Sequence, residues 1–279
     1  LSRGLGDVYK RQDQEKGSVQ MRLRLGAAAL CMALLLTGCG AAAQKSSSDT
    51  GIKAEVPSAS ADIFAMDTYM TVTCYGERCE EAVEAAENEI RRLDDLLSVG
   101  NEDSEISRIN RDGTGTVSED TVEMVAEALS LYHTTGGAFD ITVYPLMELW
   151  GFTTGDFAVP DAAALADALA DSGSDKVTLD GDTVTLSEGQ GIDLGGIAKG
   201  FTSARLMEIF KEYDLVSGVV SLGGNVQCYG TKTDGSLWRC GIQDPQDPDG
   251  DSYLGVLSLA AAWVLWIKRD TFPNGSAGH

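Results

Sequence analysis

The fold class is decided by Val177-Thr178-Leu179-Asp180-Gly181-Asp182-Thr183-Val184-Thr185-Leu186. Apolar residues alternate with polar ones on both sides of Asp180-Gly181-Asp182, and a period of two is typical of half-buried strands. An Asp-Gly pair between two such runs favours an antiparallel hairpin. Because helices and strands are interleaved elsewhere in the chain, the hairpin argues against a purely parallel sheet. The sequence therefore predicts an α+β fold with mixed, largely antiparallel sheets and packed helices.

A strand and a helix are predicted on the N-terminal side of this hairpin. Met70, Val72 and Cys74 alternate with threonines, which predicts a strand. Apolar residues then recur at helical spacing over about 80–97. The predicted buried positions of this helix are Ala82, Val83, Ala86, Ile90, Leu93 and Leu97. A polar loop is predicted over 98–115.

A second helix is predicted to begin near Ser118, where acidic residues favour the positive end of the helix dipole, and to end at Gly136-Gly137. Its predicted buried residues are Val122, Val125, Ala126 and Leu129. His133 lies near its end. We interpret His133 as solvated or as interacting with the helix dipole rather than as a metal ligand, because no second His or Cys lies nearby in sequence.

A third helix is predicted to start around Ile197 on the C-terminal side of the hairpin. It carries apolar residues at i, i+3, i+4 and i+7, namely Leu206, Ile209, Phe210 and Tyr213. Two short strands, 218–222 and 226–229, follow this helix and are separated by Gly223-Gly224.

The overall charge excludes one class of partner. The chain has 279 residues with a formal net charge of −22, from 43 acidic and 21 basic residues. Such a surface repels phosphate-rich polymers, so nucleic-acid binding is not expected. A small phosphorylated ligand is still compatible with this charge if backbone N–H groups, a metal ion or one lysine override the field locally.

The N-terminal region resembles a bacterial lipoprotein signal. Arg22 and Arg24 follow Met21 and precede an apolar run over 25–36, which leads to Cys39. The run is shorter than the roughly 20 residues of a membrane span but suits a signal peptide. A short buried helix is the alternative interpretation. The signal reading predicts cleavage before Cys39 and a lipid on this residue.

This signal organises the predicted domains. Residues 1–20 are interpreted as translated sequence upstream of the true start at Met21, 21–38 as the signal peptide and 39–62 as a lipid-anchored flexible tether. A globular domain over 63–259 would then lie at the extracytoplasmic face of the membrane. After removal of Cys31, four cysteines remain as free thiols or disulfide partners in no zinc-site spacing: Cys74, Cys79, Cys228 and Cys240.

Three glycine-marked segments are candidates for chemistry. In 191–200, an apolar run leads through Gly195-Gly196 into a helix that carries Lys199. Such a junction presents N–H groups and a cation to a phosphate, although a simple tight turn is the alternative. Its spacing matches neither the P-loop nor the dinucleotide-binding fingerprint. The other two segments, 135–142 and 221–225, are compatible with turn chemistry alone.

Together these segments resemble the FAD:protein FMN transferases, the ApbE-like flavin transferases, over about 64–259. The resemblance is carried by a set of short motifs in a fixed order: Met66-Asp67-Thr68-Tyr69-Met70, Leu97-Ser98 with Ser104-Glu105-Ile106, Gly136 to Thr142, Pro145-Leu146 with Leu149-Trp150-Gly151-Phe152, Asp193 to Gly200, Ser221 to Asn225, and Trp238 with Gly241-Ile242 and Asp244-Pro245.

The resemblance implies a reaction and a set of ligand contacts. FAD would be split at its pyrophosphate with assistance from Mg²⁺, AMP would leave, and FMN would be joined to a threonine hydroxyl of an exported redox-complex protein. The implied FAD contacts are Met66, Ala138, Phe139, Asp140, Asp193 and Lys199, and the Gly196 backbone would help to hold the metal. For Asp140 and Asp193, the residue type alone leaves a flavin, a ribose hydroxyl or a turn as the partner.

The sequence departs from the family pattern in two places. Val99-Gly100-Asn101 stands where the family usually has a tyrosine that packs on the flavin. After about Leu259 the family's His-, Asp- and Thr-containing motifs are absent, so the catalytic residues are not identified. The tail over 260–279 is interpreted as a frameshift or fragment end, with a natural C-terminal helix as the alternative. We therefore expect the chain as written to be poorly folded or inactive.

Two other functions agree with the same residues. One is an exported lipoprotein that binds flavin or another nucleotide without chemistry. The other is an FAD pyrophosphatase, in which water replaces the threonine hydroxyl.

Overall fold

The computed structural model describes residues 55–246 and 253–259 in full and residues 265–266 by their backbone. The predicted segments 1–20 and 21–38, Cys39 and the tether up to residue 54 lie outside the described residues, as does most of the tail over 260–279. None of the helices in the described part is long and apolar enough to cross a bilayer.

The described chain contains ten strands and six helices. The strands are β1 (Ser58–Ala65), β2 (Thr68–Tyr75), β3 (Thr114–Thr116), β4 (Thr178–Asp180), β5 (Thr183–Thr185), β6 (Ser217–Leu222), β7 (Asn225–Tyr229), β8 (Trp238–Gln243), β9 (Tyr253–Leu259) and β10 (Leu265–Trp266). The helices are α1 (Cys79–Leu97), α2 (Glu105–Asp112), α3 (Glu119–Thr134), α4 (Tyr144–Leu149), α5 (Ala162–Asp171) and α6 (Gly195–Glu212).

Three sheets organise these strands. The largest has the order β1-β2-β6-β7-β10, a second has the order β3-β5-β4, and β8 pairs with β9. Every strand pair among the described residues is antiparallel. The predicted hairpin is confirmed, because β4 and β5 pair across Gly181. The α+β fold class is confirmed as well.

The core is built by α1 and α6 packing on one face of the five-stranded sheet, which we call the inner face. Val72 and Val220 are fully buried in this cluster. A second cluster joins the C-terminal half of α1 to α2, α3 and the three-stranded sheet. The two long helices contribute to both clusters, because Ala86 and Leu93 of α1 lie in different ones. All six buried positions predicted for α1 are buried.

The folded region begins earlier than predicted. β1 pairs with β2 over its whole length, from Ser58 to Ala65. Residues 58–62 therefore belong to the sheet and not to the predicted tether. The sequence signal is weak here because β1 is an edge strand with small residues at five of its eight positions, and its outward side chains are exposed.

The polar loop predicted over 98–115 is wrong in part, because it contains α2. Ser104 caps this helix by accepting a hydrogen bond from the Ser107 N–H at 2.9 Å. Ile106 and Ile109 are buried at a spacing of three, and Gly113 ends the helix with φ of 72°. These are ordinary helix signals, but only two apolar residues carry them within a charged stretch.

The predicted boundaries of α3 are close, but its predicted buried face is rotated. Thr121, Met124, Val125 and Ala128 are buried, whereas Ala126 is exposed. Thr121 is drawn inward because its hydroxyl donates to Glu105 Oε2 at 2.6 Å, and this carboxylate also accepts from the Ser118 N–H. His133 is exposed, in agreement with its predicted solvation.

Asp120 joins three helices at the first turn of α3. Its carboxylate accepts from Arg92 of α1 at 2.6 Å and from Arg205 of α6 at 2.8 Å. Burial by itself would raise the pKa of Asp120, but hydrogen bonds from the two guanidiniums hold this pKa below its ordinary value. The folded state therefore keeps the carboxylate charged to lower pH than the unfolded state does.

We expect Asp120→Asn to lower the free energy of unfolding at pH 7 by about 1 to 2 kcal/mol, measured by urea denaturation. The stabilisation is present above the unfolded pKa of about 4 and is lost as the pH falls through the lower folded pKa. The difference between wild type and variant should therefore close in acid. Glu87→Gln, which breaks an exposed pair with Arg91, is the control and should cost under about 0.5 kcal/mol. Equal losses in the two variants would contradict the proposed role of Asp120.

Candidate functional site

A cleft of about 510 Å³ opens between the β1–β2 turn, the C-terminal end of α1 and the N-terminal end of α6. This volume lies within the range of small-molecule sites. The lining residues come from five separate segments: Phe64 to Asp67, Asp94, Leu97 to Asn101, Met147 with Phe152 and Thr153, and Asp193 with Gly195, Ala198 and Lys199. The cleft therefore combines apolar walls with several carboxylates and one ammonium group.

The segment 191–194 leads into α6 and brings Asp193 to the cleft. The Asn110 side chain of α2 makes two hydrogen bonds to this segment. Its Nδ2 donates to the Ile192 carbonyl at 2.8 Å, and its Oδ1 accepts from the Ile192 N–H at 2.7 Å. The Asp193 N–H donates to the Ile141 carbonyl at 2.8 Å. Ile192 and Leu194 are buried. The entry into α6 is therefore fixed from two sides.

The N-terminus of α6 differs from the predicted free cradle of N–H groups. The Gly195 N–H donates to Asp193 Oδ1 at 2.8 Å, and the Ile197 and Ala198 N–H groups both donate to the Leu194 carbonyl. Among the described residues, no acceptor is paired with the Gly196 N–H. Asp193 lies two residues before the start of α6, and its carboxylate occupies the first N–H group of the helix, that of Gly195.

Asp193 and Lys199 meet at this helix end. Burial raises the pKa of the Asp193 carboxyl, and the negative charge of Asp67 adds to this rise. The Gly195 N–H and the positive charge of Lys199 act in the opposite direction. Among the described lining residues, Lys199 carries the positive charge, whereas Asp67, Asp94 and Asp193 carry negative charge. The cleft therefore favours a ligand that arrives with cations or recruits them.

Met66 and Asp67 form the turn that closes one side of the cleft. Both have left-handed backbone conformations, with φ of 48° and 55°, although neither is glycine. A left-handed conformation at a residue other than glycine costs about 1 to 3 kcal/mol of stability. It persists where surrounding contacts hold the residue in place. Here Asp94 Oδ1 accepts from the Met66 N–H at 3.0 Å, and the Met66 side chain packs against both hydrophobic clusters. Burial raises the pKa of Asp94.

The other three predicted ligand contacts, Ala138, Phe139 and Asp140, are not among the residues that line this cleft. Asp140 Oδ1 accepts from the Thr142 N–H and hydroxyl and from the Ser174 hydroxyl, at 2.6 to 2.8 Å, so this oxygen organises a turn. Phe139 lies against α6, where a Cβ on Gly196 would meet its ring at 3.2 Å. A side chain at residue 196 would therefore crowd the Phe139 ring at the helix entry.

Two aromatic side chains of the cleft were not predicted as ligand contacts. Phe64 and Phe152 line it and remain 57% and 50% exposed, respectively. Val99, Gly100 and Asn101 also line it, at the position where the resemblance implied a missing aromatic contact. The motif Trp150-Gly151-Phe152 was a signal for this role, but sequence alone does not show which wall of a cleft a residue reaches.

The predicted metal site involves the Gly196 backbone at the entry of α6. The described residues contain no group of three or more His, Cys, Asp or Glu side chains arranged to hold one ion. Magnesium commonly takes one or two carboxylates together with substrate phosphates, and the cleft carboxylates agree with that donor chemistry. Asp193 and the Gly196 backbone lie at the same helix entry, so they fit a partial site that a phosphate ligand would complete.

Comparisons with known proteins point to one family. The ApbE family model matches residues 66–264. An FAD:protein FMN transferase of Haemophilus influenzae is 29% identical over 251 residues, covering 85% of this chain and 70% of the relative. One of Vibrio cholerae is 33% identical over 164 residues, covering 56% and 48%. The chain thus spans about half to seven tenths of these relatives.

Solved structures agree with the sequence relatives. The ApbE protein from Thermotoga maritima superposes with a TM-score of 0.69 at 30% identity, covering 74% of this chain and 68% of the other. The flavin transferase ApbE from Vibrio cholerae superposes with a TM-score of 0.63 at 27% identity, covering 68% and 65%. The fold is therefore the one that these flavin transferases share.

We expect Asp193→Asn to raise the free energy of unfolding at pH 7, because Asn keeps an acceptor for the Gly195 N–H and removes a partly buried charge. The folded-state pKa is raised, so the charged carboxylate costs stability only as the pH rises above the unfolded value of about 4. Below that pH the variant and wild type should converge. Urea denaturation at pH 3.5 and pH 7 measures the difference.

Asp193→Ala is the matched control, since it removes both the charge and the acceptor. It should be less stable than Asp193→Asn by about 1 kcal/mol at both pH values. If Asp193→Asn were less stable than wild type at pH 7, the inference that burial strains this carboxylate would be wrong.

Proposed function

The chain belongs to the ApbE family of FAD:protein FMN transferases, and on this basis we propose that it transfers FMN from FAD to a threonine hydroxyl of an exported redox-complex protein, with release of AMP. The observation that carries the proposal is that Lys199 and Asp193 both line the cleft at the entry of α6, inside the region that the family model matches. A glycine-marked helix start beside a lysine suits a pyrophosphate.

The proposed reaction is a displacement at phosphorus. The threonine oxygen forms a bond to the phosphorus of the FMN half, the bond from this phosphorus to the bridging oxygen breaks, and AMP leaves with that oxygen. The threonine proton goes to a base. Such reactions depend on alignment and on neutralising charge more than on covalent help from the enzyme.

The protein's own groups would share this work. Lys199 would contact the diphosphate, and the Gly196 N–H would donate to one of its oxygens. Asp193 fixes the helix entry through its bond to the Gly195 N–H. The apolar walls formed by Phe64, Phe152 and Met147 would pack against the flavin ring, since exposed aromatic surface in a cleft is a favourable contact for a planar ligand.

Magnesium would be held by Asp193 and the Gly196 backbone together with the diphosphate. When bound, it would neutralise charge on the phosphoryl oxygens. The charge of the cleft supports this part of the proposal, because three aspartates and one lysine are among its described lining residues. A diphosphate alone would meet net repulsion there.

The cellular setting is also proposed. A lipid on Cys39 would hold the domain at the extracytoplasmic face of the membrane, where exported redox subunits become accessible as acceptors. The sequence pattern over 21–39 supports this placement.

The direct test uses a version of the protein that carries the C-terminal His-, Asp- and Thr-containing motifs implied by the resemblance. It is incubated with FAD, Mg²⁺ and an extract of exported proteins and then examined by mass spectrometry. We expect FMN on a threonine-containing peptide and free AMP in equal amounts. Free FMN and AMP without an adduct would identify a pyrophosphatase instead. Unchanged FAD that nevertheless binds would identify a binding protein, and either result would overturn the proposed transfer.

Lys199→Ala should weaken FAD binding by about 10- to 100-fold, because a charge-assisted contact to phosphate is lost. Isothermal titration measures the dissociation constant. Lys211→Ala removes the same charge from an exposed position in the last turn of the same helix and should leave the affinity within about twofold. If both variants bind FAD as tightly as wild type, Lys199 does not contact the diphosphate.

A further inference from the structure

Cys228 lies on the outer face of the five-stranded sheet, which is the face away from α1 and α6. Directly paired residues of neighbouring strands share a face, and successive residues alternate. Gln227 pairs with Val220, a fully buried residue of the inner face, whereas Cys228 pairs with Val219. Cys228 is nevertheless only 1% exposed. Another element must therefore cover it from the outer side.

Two side chains of β8, Trp238 and Cys240, reach this outer side. Half-buried and exposed residues alternate along β8, and Cys240 shares the half-buried side with Trp238. The Trp238 ring lies 6.4 Å from the ring of Tyr75, centroid to centroid. Tyr75 follows the inward-facing Cys74 in β2 and so lies on the outer face. The β8–β9 hairpin thus turns Cys240 toward the same face that carries Cys228.

The two thiols interact in this arrangement. Burial raises the pKa of the Cys228 thiol to about 12, and Cys240 contributes to the rise through its charge and a side-chain hydrogen bond. Both cysteines are thiols in this structure. Cys240 is the more accessible of the two, because it is only half-buried. It is therefore the thiol that an oxidant in solution reaches first.

We propose that Cys228 and Cys240 form a disulfide site that links the five-stranded sheet to the β8–β9 hairpin. Formation needs a disulfide as the oxidant, such as glutathione disulfide. The Cys240 thiolate attacks one sulfur of the oxidant and releases one thiol. The Cys228 thiolate then attacks the Cys240 sulfur of the mixed disulfide and releases the second thiol, so two protein thiols are oxidised and one oxidant disulfide is reduced.

The link would act close to the candidate site. β7 starts at Asn225, whose Nδ2 donates to the Lys199 carbonyl at 3.2 Å and to the Ser203 hydroxyl at 3.0 Å. The strand that carries Cys228 is therefore bonded to the helix that carries Lys199. A disulfide would link the β8–β9 hairpin covalently to β7. It would thereby restrict movement of the hairpin away from the outer face of the sheet.

The second cysteine pair of the domain provides an internal comparison. Cys74 and Cys79 are 0% and 3% exposed and belong to the inner core cluster. The Cys74 thiol donates to the Cys79 carbonyl at 3.4 Å, and burial raises its pKa to about 12. Neither thiol of this pair is accessible to an oxidant in the folded state. We expect this pair to stay reduced under conditions that oxidise Cys228 and Cys240.

The test treats the full chain with glutathione disulfide at pH 8, blocks remaining thiols with iodoacetamide during denaturation, and maps peptides by mass spectrometry. We expect a peptide linked through Cys228 and Cys240, with alkylated Cys74 and Cys79. The melting temperature should rise by about 5 °C or more over the reduced protein. Cys240→Ser should abolish the linked peptide and this rise.

Three results would overturn the proposal. One is glutathione on Cys240 with Cys228 alkylated, which would show that the two sulfurs do not meet. Another is a peptide linked through Cys74 and Cys79 in place of the expected one. The third is alkylation of all four cysteines of the domain, Cys74, Cys79, Cys228 and Cys240, after the oxidation. The peptide map of the wild-type chain decides between these results even if the serine variant does not fold.

Discussion

The candidate site depends on one side-chain amide. Asn110 pairs with both backbone groups of Ile192, a residue 82 positions later in the chain, and this pairing imitates a rung of a β-ladder where no strand is present. A buried extended segment without such a partner would leave its peptide groups unsatisfied. With the segment held, Asp193 reaches the Gly195 N–H, α6 starts at a fixed place, and Lys199 is directed to the cleft. The helix α2, which carries Asn110, is for this reason part of the site although it does not line the cleft.

The cleft contains strained backbone and buried carboxylates, both of which cost stability that the rest of the fold must supply. Met66 and Asp67 adopt left-handed conformations, and burial raises the pKa values of Asp94 and Asp193. None of these features stabilises the empty domain. They are held by the packing of Met66 between the two hydrophobic clusters and by its N–H bond to Asp94. Concentration of such costs at one place is typical of a site kept for binding.

Periodic elements could be predicted from the sequence, and contacts between distant segments could not. The strand β2, the helix α1 and the β4–β5 hairpin were predicted because each repeats a local hydrophobic pattern. The helix α2 was missed because two isoleucines give too short a pattern, and the buried face of α3 was misplaced because Glu105 recruits Thr121. In the candidate site, too, local motifs could be predicted and contacts between distant segments could not. Lys199 and Asp193 lie within one local motif, but their meeting with Met66, Phe64 and Phe152 depends on tertiary packing.

The acidic charge of the protein and the carboxylates of the cleft both disfavour anionic ligands that bring no cation. A formal net charge of −22 repels polyanions from most of the surface, so nucleic acid is not an expected ligand. A small diphosphate differs, because it can bring a divalent cation that carries its charge past the three aspartates. In the proposed complex its anionic end would contact Lys199, and its planar end would contact the aromatic side chains that line the cleft. Under the proposed function, the negative charge that disfavours polyanions would make a bound cation a condition for admitting the small diphosphate.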